Sequence, residues 1–448
     1  MSGSIPAPAD GARVRACAAE VVFDVVKGGA ALDRALDGHA AGFLDNDRAL
    51  LREMCYGSLR WYWRCRGVMA QLVKRPPRKR DRVIEALVIV GLYQLEHMRM
   101  PTHAAIHATV AACEALGRPG YKGLVNGVLR NFQRRCEALL AALSASDRDA
   151  HPEWMWRAVA RQWPDHAPAV IEAGNCRPPL TLRVNRRRLT VDEYLESLRA
   201  EGLAGRRLEH APDAVQLDSP VNVERLPGFG DGRVSVQDAS AQLLARVVGP
   251  EAGRRVLDAC AAPGGKLTHL LEAFPAAAVQ AIESDPERAR RIAENLARLE
   301  LASPVTVADA ADLESWWDGS PFDLVVLDAP CSGTGVVRRR PDIKVLRRAS
   351  DLARFAGIQA HLLDQLWRVV KPGGRLVYVT CSIMAEENQD QIASFLGRTP
   401  ECREEPVTLP VGVALDHGWQ ILPEAGGGDG FFYALLRRDP GQVPASAR

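Results

Sequence analysis

Two cysteines in this chain each follow a short apolar run. Asp328-Ala329-Pro330-Cys331 comes after Phe322 to Leu327 (FDLVVL), Thr380-Cys381-Ser382 comes after Leu376 to Val379 (LVYV), and the two thiols are 50 residues apart. Both runs are β-branched and bounded by Gly and Pro, which predicts central strands of a parallel sheet. Ligands of such sheets sit outside the carboxyl ends of the strands. Two thiols are thereby brought to the expected active-site edge, where a thiol is a candidate nucleophile. One strand-end cysteine alone is ordinarily a small buried hydrophobe; the pair carries the expectation. The other eight, at positions 17, 55, 65, 113, 136, 176, 260 and 402, form no C-x-x-C pair, and H-E-x-x-H is absent. Neither a metal centre nor a disulfide framework is expected, and a reducing cytoplasm fits this usage.

A second constellation lies upstream. Asp258 ends the run RVLDA, and Cys260-Ala261-Ala262-Pro263-Gly264-Gly265-Lys266 then turns the chain into a helix. Gly264 and Gly265 allow a ligand close to the backbone at that helix start. Carboxylates follow the next strands: Glu283 after VQAI, Asp309 after VTVA and Asp328 after FDLVVL. Glu283 stands 19 residues beyond Gly264, near the spacing of a ribose-binding carboxylate. G-x-G-x-x-G and G-x-x-x-x-G-K-[ST] are both missing, which argues against a nicotinamide dinucleotide and a P-loop. An adenosine ligand without a pyrophosphate fits better. S-adenosylmethionine has those properties, with Asp309 holding the adenine amino group. Lys266 reads either as a contact to the cofactor carboxylate or as a surface residue opening a helix.

The elements that must position these residues follow from patterning. At 448 residues the chain exceeds one ordinary core, so two or three domains are expected. Residues 12–145 read as an all-α domain, with helical spacing in Arg13 to Val26, Ile84 to Met98 and Gly123 to Cys136, and breaks at Pro76-Pro77 and Pro101. Residues 150–233 read as a small α+β linker domain, with a strand in LTLRVN and a helix in VDEYLESLRAEG. Residues 234–438 alternate strands and helices, which predicts a doubly wound α/β sheet. The opening MSGSIPAPADGAR lacks the pattern of a secretion signal and reads as a loose tail. No apolar stretch approaches a membrane span.

A net charge of +2 hides an asymmetry: residues 1–150 hold 22 Lys+Arg against 15 Asp+Glu. From Arg60 to Arg82 nine residues are basic and one is acidic, with Trp61, Tyr62 and Trp63 alongside. Such a cluster suits either a nucleic-acid surface, charges on phosphates and rings as stacking faces, or a solvated loop beside core aromatics. The segment Val337 to Arg348, VRRRPDIKVLRR, is similarly basic, and beside the Cys331 loop it is expected to guide an RNA backbone.

The segments DACAAPGGK (258–266), DAPCSGTGVVRRRPDIK (328–344), YVTCSIMAEEN (378–388) and DGFFYALLRR (429–438) resemble the signatures of the Sun family of RNA cytosine-5 methyltransferases. YGSLRWYWR (56–64) and VNGVLRNF (125–132) resemble a NusB-type RNA-binding domain. Together the resemblance covers residues 12–438. It implies a Rossmann-like catalytic domain using S-adenosylmethionine, RNA as substrate, and small-subunit (16S) ribosomal RNA in particular. By position it implies cofactor contacts from Cys260 to Lys266, Glu283, Asp309 and Asp328, with Cys381 as nucleophile and Cys331 needed for product release. Relatives commonly have Asp where this chain has Glu283, which leaves Asp285 as an alternative. A monomer acting on RNA, with no DNA or membrane partner, is expected.

The chemistry accounts for both thiols. A thiolate adding to carbon 6 of cytosine makes carbon 5 an enamine carbon that attacks the sulfonium methyl. Asp328 is then expected to hydrogen-bond or protonate the ring at N3, the latter only as a carboxylic acid with a raised pKa in a dry site. The base must be unstacked first, which favours a loop or splayed RNA. Three alternatives stay open: the same chemistry on transfer RNA, a binding-only ribosome-assembly factor, and a DNA cytosine methyltransferase using the Pro-Cys thiol.

Overall fold

The computed structural model describes residues 11–250 and 253–440. Residues 1–10 of the expected tail lie outside that range, and Gly11 to Arg13 already belong to the helix Gly11–Val26. The described chain forms two compact units.

The first unit runs to Cys176 and takes in a later segment, Val337–Ala349. Its centre is the helix Val83–His97, in which Ile84, Leu87, Val88, Ile89, Val90, Leu92 and Tyr93 are all buried. A helix apolar on nearly every side must be enclosed, and Gly11–Val26, Asp45–Arg60, Thr102–Ala115 and Lys122–Ala141 supply that enclosure. Val14, Ala18, Val21, Val22 and Val25 recur at helical spacing and fill the same core. The segment Val337–Ala349 adds Val345 and Leu346 against it.

The second unit, Arg177–Val336 with the chain from Ser350 onward, holds two sheets. Four strands, β1 (Thr181–Val184), β2 (Gly205–Leu208), β3 (Ala211–Leu217) and β4 (Val234–Val236), make an antiparallel sheet in the order β2-β3-β1-β4. The helix Val191–Ala200 covers it, started by a Thr190/Glu193 capping box.

The large sheet comprises β5 (Arg255–Ala259), β6 (Ala278–Glu283), β7 (Val305–Val307), β8 (Phe322–Asp328), β9 (Val370–Thr380), β10 (Cys402–Glu405), β11 (Val413–Ala414), β12 (Trp419–Ile421) and β13 (Phe431–Arg438). Among the described residues its order is β11-β12-β13-β9-β8-β5-β6-β7, with β10 beside β13. From β9 to β7 all pairs are parallel. The α/β expectation holds there, and it misses the rest: β13 runs antiparallel to β9, and β10, β11 and β12 follow the same pattern. For β12 and β13 the reason is connection length, since a parallel pair needs a crossover of a dozen or more residues and the loop from Ile421 to Phe431 is too short for one.

Between β5 and its neighbours β6 and β8 the strand order reverses, opening a crevice at the carboxyl ends. Phe322, Leu324 to Leu327 and Leu376 to Val379 are fully buried, so the two strands carrying the cysteine loops are rigid supports.

Candidate functional site

Cys260 leaves β5 with φ +61° and Gly264 follows at φ +96°. Gly264 is the cap of the helix Gly265–Ala273, and its left-handed backbone is one that side chains disfavour. The turn is held from several sides. The Ala261 N–H donates to Ile282 O at 3.0 Å and the Gly264 N–H to Ala261 O at 2.8 Å. Asn295 Nδ2 donates to Pro263 O at 3.0 Å and Arg183 Nη1 to Gly265 O at 2.9 Å.

Glu283 ends β6 and is buried. Its Oε2 accepts from the Ala262 N–H at 3.1 Å, and its Oε1 accepts from the Asp285 N–H at 3.1 Å and Arg288 Nη1 at 3.4 Å. The expected ribose carboxylate is thus also the post that fastens the glycine turn, with further lone pairs left for a ligand. Asp285 caps the helix Pro286–Leu299 by accepting from the Glu287 and Arg288 N–H groups, which accounts for its side chain structurally.

Asp309 follows β7 and accepts from the Ala311 N–H at 2.9 Å. It borders a cavity of about 550 Å³ whose other walls include Cys260, Ile282, Ala308, Ala310, Pro330 and Leu362. Mostly apolar walls, with Asp309, Ser284, Arg354 and His361 as the polar side chains, suit a flat heterocycle with an amino group. Burial pushes the Cys260 thiol up to about 12, with Asp328 and Glu283 adding to the effect, so this cysteine is an inert wall.

Asp328 corrects two expectations. Lys266 Nζ donates to its Oδ2 at 2.7 Å, so the lysine faces a protein carboxylate and is not a surface residue opening a helix. Asp328 itself is 27% exposed, so it is half of a partly exposed ion pair rather than an acid isolated in a dry pocket. Burial works against the Lys266 ammonium, but Asp328 outweighs it and raises the Lys266 pKa.

Cys331 and Cys381 meet. Their Sγ atoms lie 3.4 Å apart, and both residues are partly exposed. The Gly335 N–H donates to Cys381 O at 2.9 Å, and the Gly430 N–H donates to Gly335 O at 2.9 Å. A Cβ on Gly335 would stand 2.3 Å from Gly430 O, so glycine is required for the two loops to close. The hydrogen bond with Cys381 first, then burial, raises the Cys331 pKa well above the usual thiol range. Either sulfur can donate in this contact.

Two further residues of this neighbourhood carry no role in the sequence motifs. Asp258 is buried, and neither carboxylate oxygen has a hydrogen-bond partner. Burial, reinforced by Asp328 and opposed by Lys266, pushes it up to about 8. Its place at the end of β5 was the available signal. Glu387 is fully buried beside both cysteine loops, and nothing in the doublet Glu386-Glu387 says which side chain turns inward.

The basic segments need correction. Arg338 and Lys344 are buried, Arg340 pairs with Asp33, and Trp63 Nε1 donates to Lys344 O at 2.8 Å. Val337–Ala349 is thus an integral part of the helical unit rather than a loop free to guide RNA. In the early cluster, Arg60 is buried and donates to Arg338 O at 2.9 Å. Trp61 stacks on His97 with centroids 4.0 Å apart, so its ring is engaged internally. The exposed basic residues of this cluster are Arg66, Lys74, Arg75, Arg78, Lys79, Arg80 and Arg82.

Comparison with known proteins agrees with this anatomy. The family profile of 16S rRNA methyltransferase RsmB/F matches residues 245–437, a ferredoxin-like domain of RsmF/B-like methyltransferases matches 151–224, and the NusB family matches 12–134. Ribosomal RNA small subunit methyltransferase B of Klebsiella pneumoniae is 46% identical over 424 residues, covering 94% of this chain and 97% of that protein. The protein of that name from Vibrio cholerae is 44% identical over 427 residues, covering 95% and 97%. The crystal structure of PH0851 superposes with a TM-score of 0.79 at 24% identity, covering 98% of this chain and 100% of that one, and shows the same fold. S-adenosylmethionine is the cofactor of this family, and the residues present fit it: a slot for the adenine, and an orphaned buried carboxylate, Asp258, that calls for a cationic or N–H partner. No helix among the described residues is long and apolar enough to cross a membrane. The chain belongs to the RsmB/F family of S-adenosylmethionine-dependent ribosomal RNA methyltransferases.

Proposed function

We propose that this enzyme methylates carbon 5 of a cytosine in 16S ribosomal RNA by covalent catalysis, with Cys381 as nucleophile. The observation that carries the reading is the 3.4 Å approach of Cys331 and Cys381 beside the Lys266–Asp328 pair. Asp258, Cys260 to Gly265, Glu283 and Asp309 hold S-adenosylmethionine, which supplies an electrophilic methyl group when bound. The Cys381 thiolate adds to carbon 6 while ring N3 takes a proton from the Lys266–Asp328 pair, and charge is neutralised as it develops. Carbon 5 would then take the methyl group that bound S-adenosylmethionine supplies, the new carbon–carbon bond forming as the sulfonium–methyl bond breaks and its electron pair stays on sulfur. Loss of the carbon 5 proton to water restores the double bond, the carbon 6 to sulfur bond breaks, and N3 returns its proton. The Cys331 S–H hydrogen-bonds the departing sulfur.

In this proposal the chain divides at 12–145, 150–233 and 234–438, the first part captures RNA, and the enzyme is a cytoplasmic monomer acting on RNA, not DNA. Full-length protein incubated with 16S RNA and S-adenosylmethionine and run on a denaturing gel tests the assignment. Cys381→Ala is expected to form no covalent adduct, and Cys331→Ala to methylate and stay attached to its product. The reverse pattern would transfer the nucleophile to Cys331. Mapping 5-methylcytosine in 16S and transfer RNA from cells with and without the gene tests the substrate.

A further inference from the structure

Each catalytic cysteine is followed by a serine, and one side chain holds both serines. The Ser332 N–H donates to Glu387 Oε1 at 2.7 Å, and the Ser332 hydroxyl donates to Oε2 at 2.5 Å. The Ser382 hydroxyl donates to the same Oε2 at 2.6 Å. Gln359 Nε2 donates to Oε1 at 3.2 Å and to Pro330 O at 2.9 Å, tying in the residue before Cys331. Glu387 is fully buried, and these four donors converge on it. They are hydroxyl, amide and backbone groups, and none of the four is a cation.

We propose that Glu387 is a positioning residue that sets the spacing of the two catalytic thiols by bridging the residues next to each of them. The inference rests on the reading of Cys381 and Cys331 as the reacting pair. A carboxylate accepts at both oxygens, which this bridge requires. Glutamine at 387 turns an N–H₂ toward two hydroxyls, and aspartate falls one methylene short. Burial raises the Glu387 pKa, and the serine donors oppose that rise, as expected of an acceptor kept where the loops need it. A thiol displaced by even about 1 Å costs on the order of a hundredfold in rate.

Alkylation of the cofactor-free full-length protein by iodoacetamide, read at Cys331 and Cys381 by mass spectrometry, is the test, alongside kcat, KM and melting temperature. Glu387→Gln is expected to lower kcat by at least about tenfold, to leave KM for RNA and S-adenosylmethionine affinity unchanged, and to alter the alkylation rates of both thiols. The single arms keep the proposal testable if that variant folds poorly. Ser332→Ala is expected to alter only the Cys331 rate and to slow product release. Ser382→Ala is expected to alter only the Cys381 rate and to slow adduct formation. Unchanged thiol rates in all three variants, with activity falling only in step with melting temperature, would reduce Glu387 to a structural role and overturn the proposal. Failure of the nucleophile assignment looks different: the adduct behaviour of Cys331→Ala and Cys381→Ala exchanges while the Glu387 effect on thiol rates stands.

Discussion

Asp258 is fully buried near the end of β5, with neither oxygen bonded and a pKa pushed up to about 8 by burial. At pH 7 it is mostly protonated, and a cationic ligand beside it favours the carboxylate, so binding must expel a proton. Calorimetry of S-adenosylmethionine binding at pH 7 in buffers of different ionisation enthalpy is expected to show proton release in the parent and none in Asp258→Asn. Asp309→Ala, which strips the carboxylate from the 550 Å³ cavity, is expected to weaken binding while preserving that release; equal affinity in variant and parent would remove Asp309 from the site. The contrast marks what residue types reveal. Asp309 was readable because it follows a strand and a ligand-binding turn precedes it. Asp258 stands one residue before the end of β5, where sequence does not say whether a carboxylate faces the core or a ligand. The Lys266–Asp328 pair was unreadable for a related reason: each residue taken alone suits a ligand, and only the fold brings residues 62 apart to 2.7 Å.

At the scale of elements, the small sheet is bolted to the cofactor helix through one side chain. Arg183 on β1 is buried, and its Nε and Nη2 donate to Glu272 Oε2 at 2.9 Å and Oε1 at 2.8 Å. The same guanidinium reaches Gln237 Oε1, Thr268 Oγ1 and the Gly265 carbonyl of the glycine turn. Arg183→Met leaves the Glu272 carboxylate buried and unpaired, which is expected to cost about 3–5 kcal/mol and to weaken cofactor binding through the loosened turn. Adding Glu272→Leu is expected to recover most of the stability. Denaturant titration of the single and double variants checks both; a double variant as unstable as the single one would refute the ion pair as the cause. LTLRVN was readable as a strand from its alternation, yet alternation does not say that its arginine points inward. The antiparallel β10 to β13 were hidden because three of them are only two to four residues long, too short for periodicity to register.

At the scale of the whole chain, the basic excess of the first 150 residues divides once burial is known. Arg60 is consumed by the helical core, and of the later segment Arg338 and Lys344 are consumed with it, so their charges serve packing. Composition cannot make that division, because a buried arginine and a phosphate-binding one are the same letter. Among the basic residues that stay at the surface is the dense run Lys74, Arg75, Arg78, Lys79, Arg80 and Arg82. It borders a cavity of about 570 Å³ lined by Arg78, Arg80, Arg118 and Tyr121. Each phosphate neutralised by such a residue releases condensed counterions, and the slope of log K against log salt flattens by about 0.7–0.9 for every phosphate no longer neutralised. Replacing Arg78, Lys79 and Arg80 by Gln is therefore expected to weaken 16S RNA binding, flatten that slope by about 2 if all three touch phosphates, and leave S-adenosylmethionine affinity untouched. Filter binding across a salt series reads the slope directly. An unchanged slope would make the run a solvated face of the helical unit, and RNA capture would then have to rest on other surfaces of the chain.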